Sequence, residues 1–307
     1  MIEGLQSTQA HLEKPPENVY SLSTASILDR ATFKAALLWE VQDHVGIAQR
    51  SGYKGVELWP QGIRPLQQIR AGSLSDTEKA GVLSAHQCPR AAIPRSFQEV
   101  QKAVFLPETK ASLADLDRIH TVVGDIPVVL FKETPPEYFQ NSPFTKRGIQ
   151  PDSEVCTAWG VSTAQEFVDI ALKKGLTEIV IDTHHIRRPN IKTGKENPLA
   201  NWQGSIPILL PHTKEIHIGI GRLDYGKMDP EQLKEEAMDL LTGGRKNTEV
   251  MQMLRLIADK GWNGMIVIEM RPSVYKDVMN RRFLLSGNDL VDIYERVRNT
   301  LYHTLDK

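Results

Sequence analysis

The sequence predicts a single closed α/β barrel made of eight strand–helix units. Short apolar runs alternate with longer amphipathic stretches along the 307 residues, a pattern typical of βα units around a parallel sheet. Neither a repeat nor a low-complexity tract nor a long linker divides the chain, and single α/β barrels commonly reach this length. An open doubly wound sheet is the alternative. No GxGxxG follows the first strand, so dinucleotide binding is disfavoured.

Eight apolar runs are predicted to be strands that are buried on both faces. They span residues 19–25, 55–59, 82–86, 126–131, 148–152, 178–182, 215–220 and 265–270. Residues 1–18 are predicted to be an N-terminal arm, and residues 19–307 one barrel domain with enlarged loops at its C-terminal face. Two such loops, "TPPEYFQNSPFTKR" and "RRPNIKTGKENPLANWQGS", are expected to shape the site or a subunit contact, which leaves a homo-oligomer open.

Capping residues and helical periodicity predict the helices between the strands. The capping signals are Ser75 with Glu78, Ser162 with Gln165, and Asp229-Pro230 with Gln232. Apolar positions recur with helical spacing over residues 32–49, 247–260 and 288–305.

Composition excludes several function classes. The formal net charge of −1 gives no reason to expect nucleic acid or an anionic membrane as partner. No apolar run reaches the roughly 18 residues that span a bilayer, and the first residues are too polar for a secretory signal. Cys88 and Cys156 lack CxxC spacing, which fits a reducing compartment. We therefore expect a cytoplasmic protein that acts on a small molecule.

Polar side chains follow the predicted strands at their C-terminal ends, where parallel barrels carry their functional face. In chain order these residues are Glu57, His86, Lys132, Glu133, Gln150, Asp152, Asp182, His185, His217 and Glu269. Buried carboxylates and imidazoles cost several kcal/mol unless they are paired or bound to a cation. Their convergence predicts a divalent metal ion.

Five motifs in order resemble the sugar phosphate isomerase/epimerase superfamily of xylose isomerase-like TIM barrels. They are "SGYKGVELWP", "SAHQCP", "IVIDTHH", "EIHIGIGRLDYG" and "KGWNGMIVIEMRP". In that family one divalent metal is held by a fifth-strand Glu, a sixth-strand Asp, a seventh-strand His and an eighth-strand Glu. The resemblance implies that Asp182, His217 and Glu269 are metal ligands and that His185 touches substrate.

The chain departs from the family at the fifth strand, where Gln150 stands at the position of the expected Glu. A glutamine oxygen can coordinate a metal but cannot act as a base, so symmetric two-base epimerisation becomes doubtful. Asp152 or Glu133 could replace the carboxylate, His86 or His185 could add an imidazole, or the metal site has been lost. Depending on these ligands, the metal is Mn²⁺, Mg²⁺, Zn²⁺, Co²⁺ or Fe²⁺.

Simpler structural roles compete with these assignments. His86 alone could bond a backbone carbonyl, Asp182 could cap the next turn, and Glu57 could pair with Lys54. His184 and His185 are adjacent and face opposite ways, so at most one of them is expected to enter the barrel mouth. The family position selects His185.

Residues that follow the strand ends also suggest the class of substrate. Arg187, Arg222 and Arg271 could bind a phosphate or carboxylate, or could pair with nearby acids, which would leave a neutral sugar equally plausible. Trp59 could form a wall for a sugar ring or pack as core.

The residues and the resemblance together predict a metal-dependent isomerase or epimerase acting on a sugar, sugar phosphate, polyol or keto acid through an enediolate. Glu269 is the expected base, His185 orients the substrate, and Glu133 could return the proton. A metal-dependent lyase or hydrolase is the second hypothesis. A non-catalytic sugar-binding barrel is the third.

Overall fold

The computed structural model describes residues 17–24, 40–59, 63–87, 109–132, 134–190, 193–223, 248–272 and 287–306. Eight parallel strands form a closed barrel in sequence order, and the first strand pairs with both the second and the eighth. Because no edge is left open, the doubly wound alternative is wrong and the predicted (β/α)8 barrel is confirmed.

The strands lie where the apolar runs predict them, with small differences at their ends. They are β1 (Val19–Ser23), β2 (Gly55–Leu58), β3 (Val82–His86), β4 (Val128–Leu130), β5 (Arg147–Ile149), β6 (Glu178–Asp182), β7 (Thr213–Leu223) and β8 (Met265–Pro272). The fifth is shorter than predicted, because Asp152 caps the next helix and ends the extended backbone at Ile149.

Helices occupy the connections between strands. They are α1 (Val41–Arg50), α2 (Ile63–Ala71), α3 (Asp76–Gly81), α4 (Thr109–Val123), α5 (Pro136–Asn141), α6 (Ser153–Trp159), α7 (Ala164–Lys173), α8 (Trp202–Leu209), α9 (Thr248–Asp259) and α10 (Gly287–Leu305). In the described part of the chain, no helix is long and apolar enough to cross a membrane.

The predicted capping boxes meet three different outcomes. Ser75 and Glu78 form the reciprocal pair at the start of α3, as predicted. The pair Ser162 and Gln165 is wrong by one residue: Thr163 caps α7. Its hydroxyl accepts a hydrogen bond from the Glu166 backbone N–H, and the Glu166 carboxylate accepts one from the Thr163 backbone N–H. Asp229, Pro230 and Gln232 lie outside the described residues.

Strand alternation divides the barrel into an apolar outer layer and an unusually polar interior. Leu22, Ile216 and Ile268 belong to the core between strands and helices. The residues next to them in sequence point the other way, as the period of two requires. Those on β1 and β7 are all buried: Ser21, Ser23, Glu215 and His217. TIM barrel interiors are normally filled by bulky branched side chains, so this polar interior marks the place to look for function.

Candidate active site

The candidate site lies at the C-terminal ends of the strands and centres on His217. Four acidic residues surround it within the barrel: Glu57 from β2, Asp182 from β6, Glu215 from β7 and Glu269 from β8. All five side chains are at most 2% exposed. Each is held by a strand whose pairing fixes its position, because Asp182 is in register with His217, and Gly219 with Glu269.

Both ring nitrogens of His217 face acidic or amide groups. Nε2 lies 2.6 Å from Glu215 Oε1 and 3.2 Å from Glu57 Oε2. Nδ1 lies 3.4 Å from Glu269 Oε2 and 3.1 Å from Gln150 Nε2. The imidazole is therefore the link between two groups of ligands, one on each side of its ring.

The charges of this cluster shift one another's pKa values. Burial lowers the pKa of His217, but the charge of Glu57 and the hydrogen bonds to the surrounding carboxylates outweigh burial and hold it well above its ordinary value. Burial acts to raise the pKa of Glu57, yet the His217 charge holds it below its usual range. Burial raises the pKa of Glu215 to about 7. The hydrogen bond from His217 lowers this pKa, but by less than burial raises it.

Asp182 has a structural role and a site-facing role at the same time. Its Oδ1 accepts hydrogen bonds from the backbone N–H groups of His184 and His185, at 2.7 and 2.8 Å, and so fixes the turn after β6. Its Oδ2 lies 3.9 Å from His185 Nε2. Asp182 therefore does cap the turn, as the structural alternative predicted. Capping uses Oδ1 only, and Oδ2 is left to face the site.

Gln150, the residue that departs from the family pattern, reaches the cluster. Its side chain is 6% exposed and contacts His217. Asp152, the expected substitute for the missing carboxylate, instead accepts a hydrogen bond from Val155 N at 2.6 Å as the N-cap of α6. Burial raises the pKa of Asp152 to about 6. Glu133, the other expected substitute and a predicted catalytic residue, lies outside the described residues.

An aromatic wall stands on the β2–β3 side of the mouth. The rings of Trp59 and His86 stack with centroids 4.0 Å apart, and Phe131 lies 5.0 Å from His86. Trp59 Nε1 donates a hydrogen bond to Glu57 Oε1 at 2.7 Å. His86 Nδ1 donates to the carbonyl of Gln87, and burial lowers the pKa of His86. The neutral ring therefore presents the lone pair of Nε2.

Several buried polar atoms in the barrel have no hydrogen-bond partner among the described residues. They are Ser23 Oγ, Ser84 Oγ, Glu57 Oε2, Glu215 Oε2 and His86 Nε2. Ser23 pairs in register with Glu57, and Glu57 with Ser84, so three of these residues form one row across β1, β2 and β3. Buried polar atoms are nearly always satisfied, so this row fits a polar ligand.

One of the three predicted arginines, Arg187, has a side chain among the described residues. Arg187 donates to Glu249 at 2.6 Å and to the carbonyl of Thr183 at 2.8 Å, so it ties the turn after β6 to α9. Arg222 and Arg271 belong to β7 and β8, but their side chains lie outside the described residues.

Glu215 is the main site residue that the sequence analysis missed. It lies at the start of the seventh strand, outside the C-terminal strand ends that were considered. A signal was present in "EIHI", because residues two apart on a strand share a face. Ser23, the last residue of β1, and Ser84, two residues before His86 on β3, were also missed.

Two groups of ligand atoms in the described chain have spacings that fit a cation. Asp182, His217 and Glu269 form one, and Glu57, Glu215 and His217 form the other, with the ligand atoms of each group within 4.8 Å of one another. His217 belongs to both. The first group contains three of the four predicted metal ligands, and the fourth, Gln150, contacts His217 through its amide nitrogen.

Comparison with known proteins gives matches at the level of structure only. No family model and no curated protein matches the chain. A protein described as a sugar phosphate isomerase/epimerase from Anabaena variabilis shares 13% identity over 95% of this chain and 99% of its own, with a TM-score of 0.49. A xylose isomerase-like TIM barrel protein from Mycobacterium smegmatis, in complex with magnesium, shares 12% identity over 94% of this chain and 98% of its own, with a TM-score of 0.45.

A third solved structure is described as a 3-DHS dehydratase of petrobactin synthesis from Bacillus anthracis. It shares 14% identity over 92% of this chain and 98% of its own, with a TM-score of 0.44. The first two names coincide with the family that the sequence motifs resemble. At TM-scores this low the similarities say nothing about substrate or reaction, and the barrel itself is established by its strand pairing.

Proposed function

We propose that this chain is a divalent-metal-dependent isomerase or epimerase that moves a proton next to a carbonyl or hydroxyl carbon of a sugar-like substrate. The observation that carries the proposal is the convergence of Asp182, His217 and Glu269. Three adjacent strands bring one ligand atom of each within 4.8 Å of the others, and all three side chains are buried. Packing alone gives no reason for such a group.

Charge balance supports a bound cation. When all four carboxylates of the cluster are ionised, their four negative charges exceed the one positive charge that the raised pKa of His217 favours in the metal-free protein, and a ligating His217 would be neutral. In the described chain, the ion pairs of Glu57 and Glu215 are with His217 alone. A divalent ion beside Asp182 and Glu269 would offset much of this excess. Carboxylates with one imidazole suit Mn²⁺ or Mg²⁺, and also Fe²⁺, Co²⁺ or Zn²⁺.

The residues around the ligands have separate roles in this proposal. Asp182, His217 and Glu269 would hold the cation, which would supply Lewis acidity and make the adjacent substrate C–H more acidic. Glu269 is the base that takes the proton. His185 holds a substrate oxygen near Asp182. Gln150 cannot take a proton, so the return step falls to Glu133 or to the same Glu269.

The β1–β3 side of the site supports a substrate rich in hydroxyl groups. His86 Nε2 can accept a hydrogen bond from a hydroxyl, and the oxygens of Ser23 and Ser84 can donate or accept one. Trp59, stacked on His86, offers an apolar face next to these polar atoms. A sugar or polyol carries both kinds of surface, so Trp59, His86 and Glu57 are the proposed substrate-binding residues.

Gln150 favours a metal-dependent lyase as the second candidate. A neutral amide replaces one of the two proton carriers that a symmetric epimerisation needs, whereas elimination of a β-leaving group from the enediolate requires a single base. A deuterium-exchange assay separates the two reactions, because the isomerase returns a solvent proton to carbon and the lyase releases an unsaturated product.

Elemental analysis and proton exchange test the proposal together. We expect one divalent ion per chain, and exchange of a carbon-bound proton on a panel of ketoses, sugar phosphates and keto acids. Glu269→Gln should abolish exchange, and His217→Ala should lower metal content. Asp115→Asn, which removes a carboxylate paired with Arg70 outside the barrel, is the matched control. Metal without exchange on the whole panel would indicate a non-catalytic sugar-binding barrel, and absence of bound metal would refute the central claim.

A further inference from the structure

We propose that Glu215 is a positioning residue that holds the His217 ring by accepting a hydrogen bond from Nε2–H, so that Nδ1 faces the cation. This inference rests on the proposed function, because it concerns the same metal site. It also decides between the two candidate groups. The ion belongs with Asp182 and Glu269, and the group of Glu57 and Glu215 serves to orient the ligand.

The contacts of Nε2 single out Glu215 over Glu57. Glu215 Oε1 lies 2.6 Å from Nε2, whereas Glu57 Oε2 lies 3.2 Å away and lacks hydrogen-bond geometry. The other oxygen of Glu57 already accepts the Trp59 indole N–H. The short contact to Glu215 is in the range of a charge-assisted hydrogen bond, so the Nε2 proton belongs to that pair.

The contacts of Nδ1 complete the argument. Gln150 and Glu269 lie on this side of the ring, and Asp182 completes the group that includes Glu269. A nitrogen that carries a proton cannot donate a lone pair to a metal. While Glu215 holds the proton on Nε2, the ring can ligate only through Nδ1, which faces the predicted ligands and whose own proton a cation would displace.

The fold makes Glu215 suitable for this task. It lies two residues before His217 on the same strand, so the backbone of β7 fixes the separation of the two side chains. Its side chain is 1% exposed, so bulk water does not compete for the hydrogen bond. Carboxylates that orient a ligating histidine in this way typically change metal affinity by 10–100-fold when removed.

Metal titration of three variants separates the hydrogen bond from the charge. Glu215→Leu removes charge and acceptor at similar volume, while Glu215→Gln removes the charge but keeps an acceptor oxygen. Glu57→Gln is the matched control, because it removes one buried charge beside the same nitrogen. With Mn²⁺ as probe and the full chain, we expect Glu215→Leu to bind at least about tenfold more weakly than Glu215→Gln. The two Gln variants should lie within a few-fold of each other.

Equal affinities of Glu215→Leu and Glu215→Gln would overturn the inference. An NMR measurement on the metal-free full chain keeps this result distinct from failure of the proposed function. An Nε2–H signal of His217 that is protected from solvent in the parent and in Glu215→Gln, but exchanges rapidly in Glu215→Leu, supports the hydrogen bond even if the parent binds no Mn²⁺. An unchanged signal in Glu215→Leu refutes it whatever the metal content.

Discussion

At the scale of single residues, Gln150 lies where a negative charge would act most directly on a cation. Its amide nitrogen is 3.1 Å from His217 Nδ1, on the side of the ring that faces Glu269. A carboxylate at this position would add a ligand charge without adding volume. The amide instead leaves the cation less neutralised, which strengthens its effect on a developing negative charge.

We therefore predict that Gln150→Glu tightens metal binding by about 1 kcal/mol or more, which is roughly fivefold. The metal-free variant should be less stable than the parent, because it buries one more unpaired charge. Calorimetric titration measures the metal affinity. Thermal unfolding with and without metal measures the loss of stability in the metal-free variant. If the affinity does not change, the side chain does not contact the ion.

Single residues also show why the site was only partly predictable. Asp182, His217 and Glu269 stand out in sequence because each ends or follows an apolar run, and parallel strands deliver such residues to one rim. Glu215 gives no such signal: a glutamate near the start of a strand normally lies at the opposite, solvent-facing end. The signal it does give is its spacing of two residues from His217, which places both side chains on one face of β7.

At the scale of elements, the packing of β7 against the turn after β6 positions a proposed metal ligand. Thr183 N donates to the carbonyl of His217 at 2.9 Å, and Gly219 N donates to Thr183 Oγ1 at 3.2 Å. The turn lies so close to β7 that a Cβ at Gly219 would be 2.6 Å from His184 Cβ and 3.3 Å from Asp182 Oδ1. Glycine is therefore required by the close approach of the two segments.

Gly219→Ala should weaken metal binding although it alters no proposed ligand. The added methyl must push the turn outward and move Asp182, and overpacking of this kind typically costs 1–3 kcal/mol of stability. Gly204→Ala is the control, because its nearest neighbour would be 3.5 Å from the new Cβ and alanine favours the helix. Metal titration and chemical denaturation report the two effects. Unchanged metal affinity in Gly219→Ala would show that the turn does not control the Asp182 carboxylate.

Helix α1 carries a buried histidine that should make stability depend on pH. His44 is fully buried, and burial lowers its pKa from 6.5 to about 4. In the unfolded chain His44 therefore takes up a proton below about pH 6.5, whereas in the folded chain it does so only below about pH 4. Stability from this group is complete above pH 6.5 and is lost as pH falls.

We predict that replacing His44 by Leu removes this pH dependence. Between pH 7 and pH 4 the parent should lose up to about 3 kcal/mol more unfolding free energy than the variant. Urea denaturation at several pH values measures the difference. If the unfolding free energy changes equally with pH in both proteins, His44 does not stay neutral in the folded state.

Element boundaries were predicted less well than element types. At the start of α7, the sequence Ser162-Thr163 offers two overlapping caps, followed by Gln165 and Glu166. Both registers satisfy the local pattern, and the structure selects Thr163 with Glu166, which leaves Val161 and Phe167 buried. Burial of those apolar residues is a tertiary effect, so the local signal could not decide between the registers.

At the scale of the whole molecule, the barrel closes where β1 meets β8, far apart in sequence. The eight-strand count was predictable because each apolar run is bounded by helical stretches, and strand order followed from the preference for sequential neighbours. Closure itself depends on how the ends of the chain meet. Asn18, at the end of the predicted arm, is buried at this seam, and its Oδ1 accepts a hydrogen bond from Gly264 N at 3.0 Å.

Asp306 completes the seam from the end of α10. One carboxylate oxygen accepts hydrogen bonds from the backbone N–H and the side-chain amide of Asn18, at 3.3 and 2.8 Å. The other accepts a hydrogen bond from the Tyr20 hydroxyl. One side chain thus joins the last helix to the strand that closes the barrel, at the N-terminal ends of the strands.

Asp306→Ala should therefore lower the unfolding free energy by about 1–3 kcal/mol, because it leaves Asn18 and Tyr20 without their shared acceptor. Asp306→Asn, which keeps one acceptor oxygen, should lose less. Metal affinity should stay within about twofold in both variants, because the seam and the His217 cluster lie at opposite ends of the barrel and distant sites add independently. Chemical denaturation measures the unfolding free energy, and Mn²⁺ titration of the same samples measures the metal affinity. A loss of metal affinity that follows the loss of stability would show instead that barrel closure at the N-terminal end positions the ligands at the other.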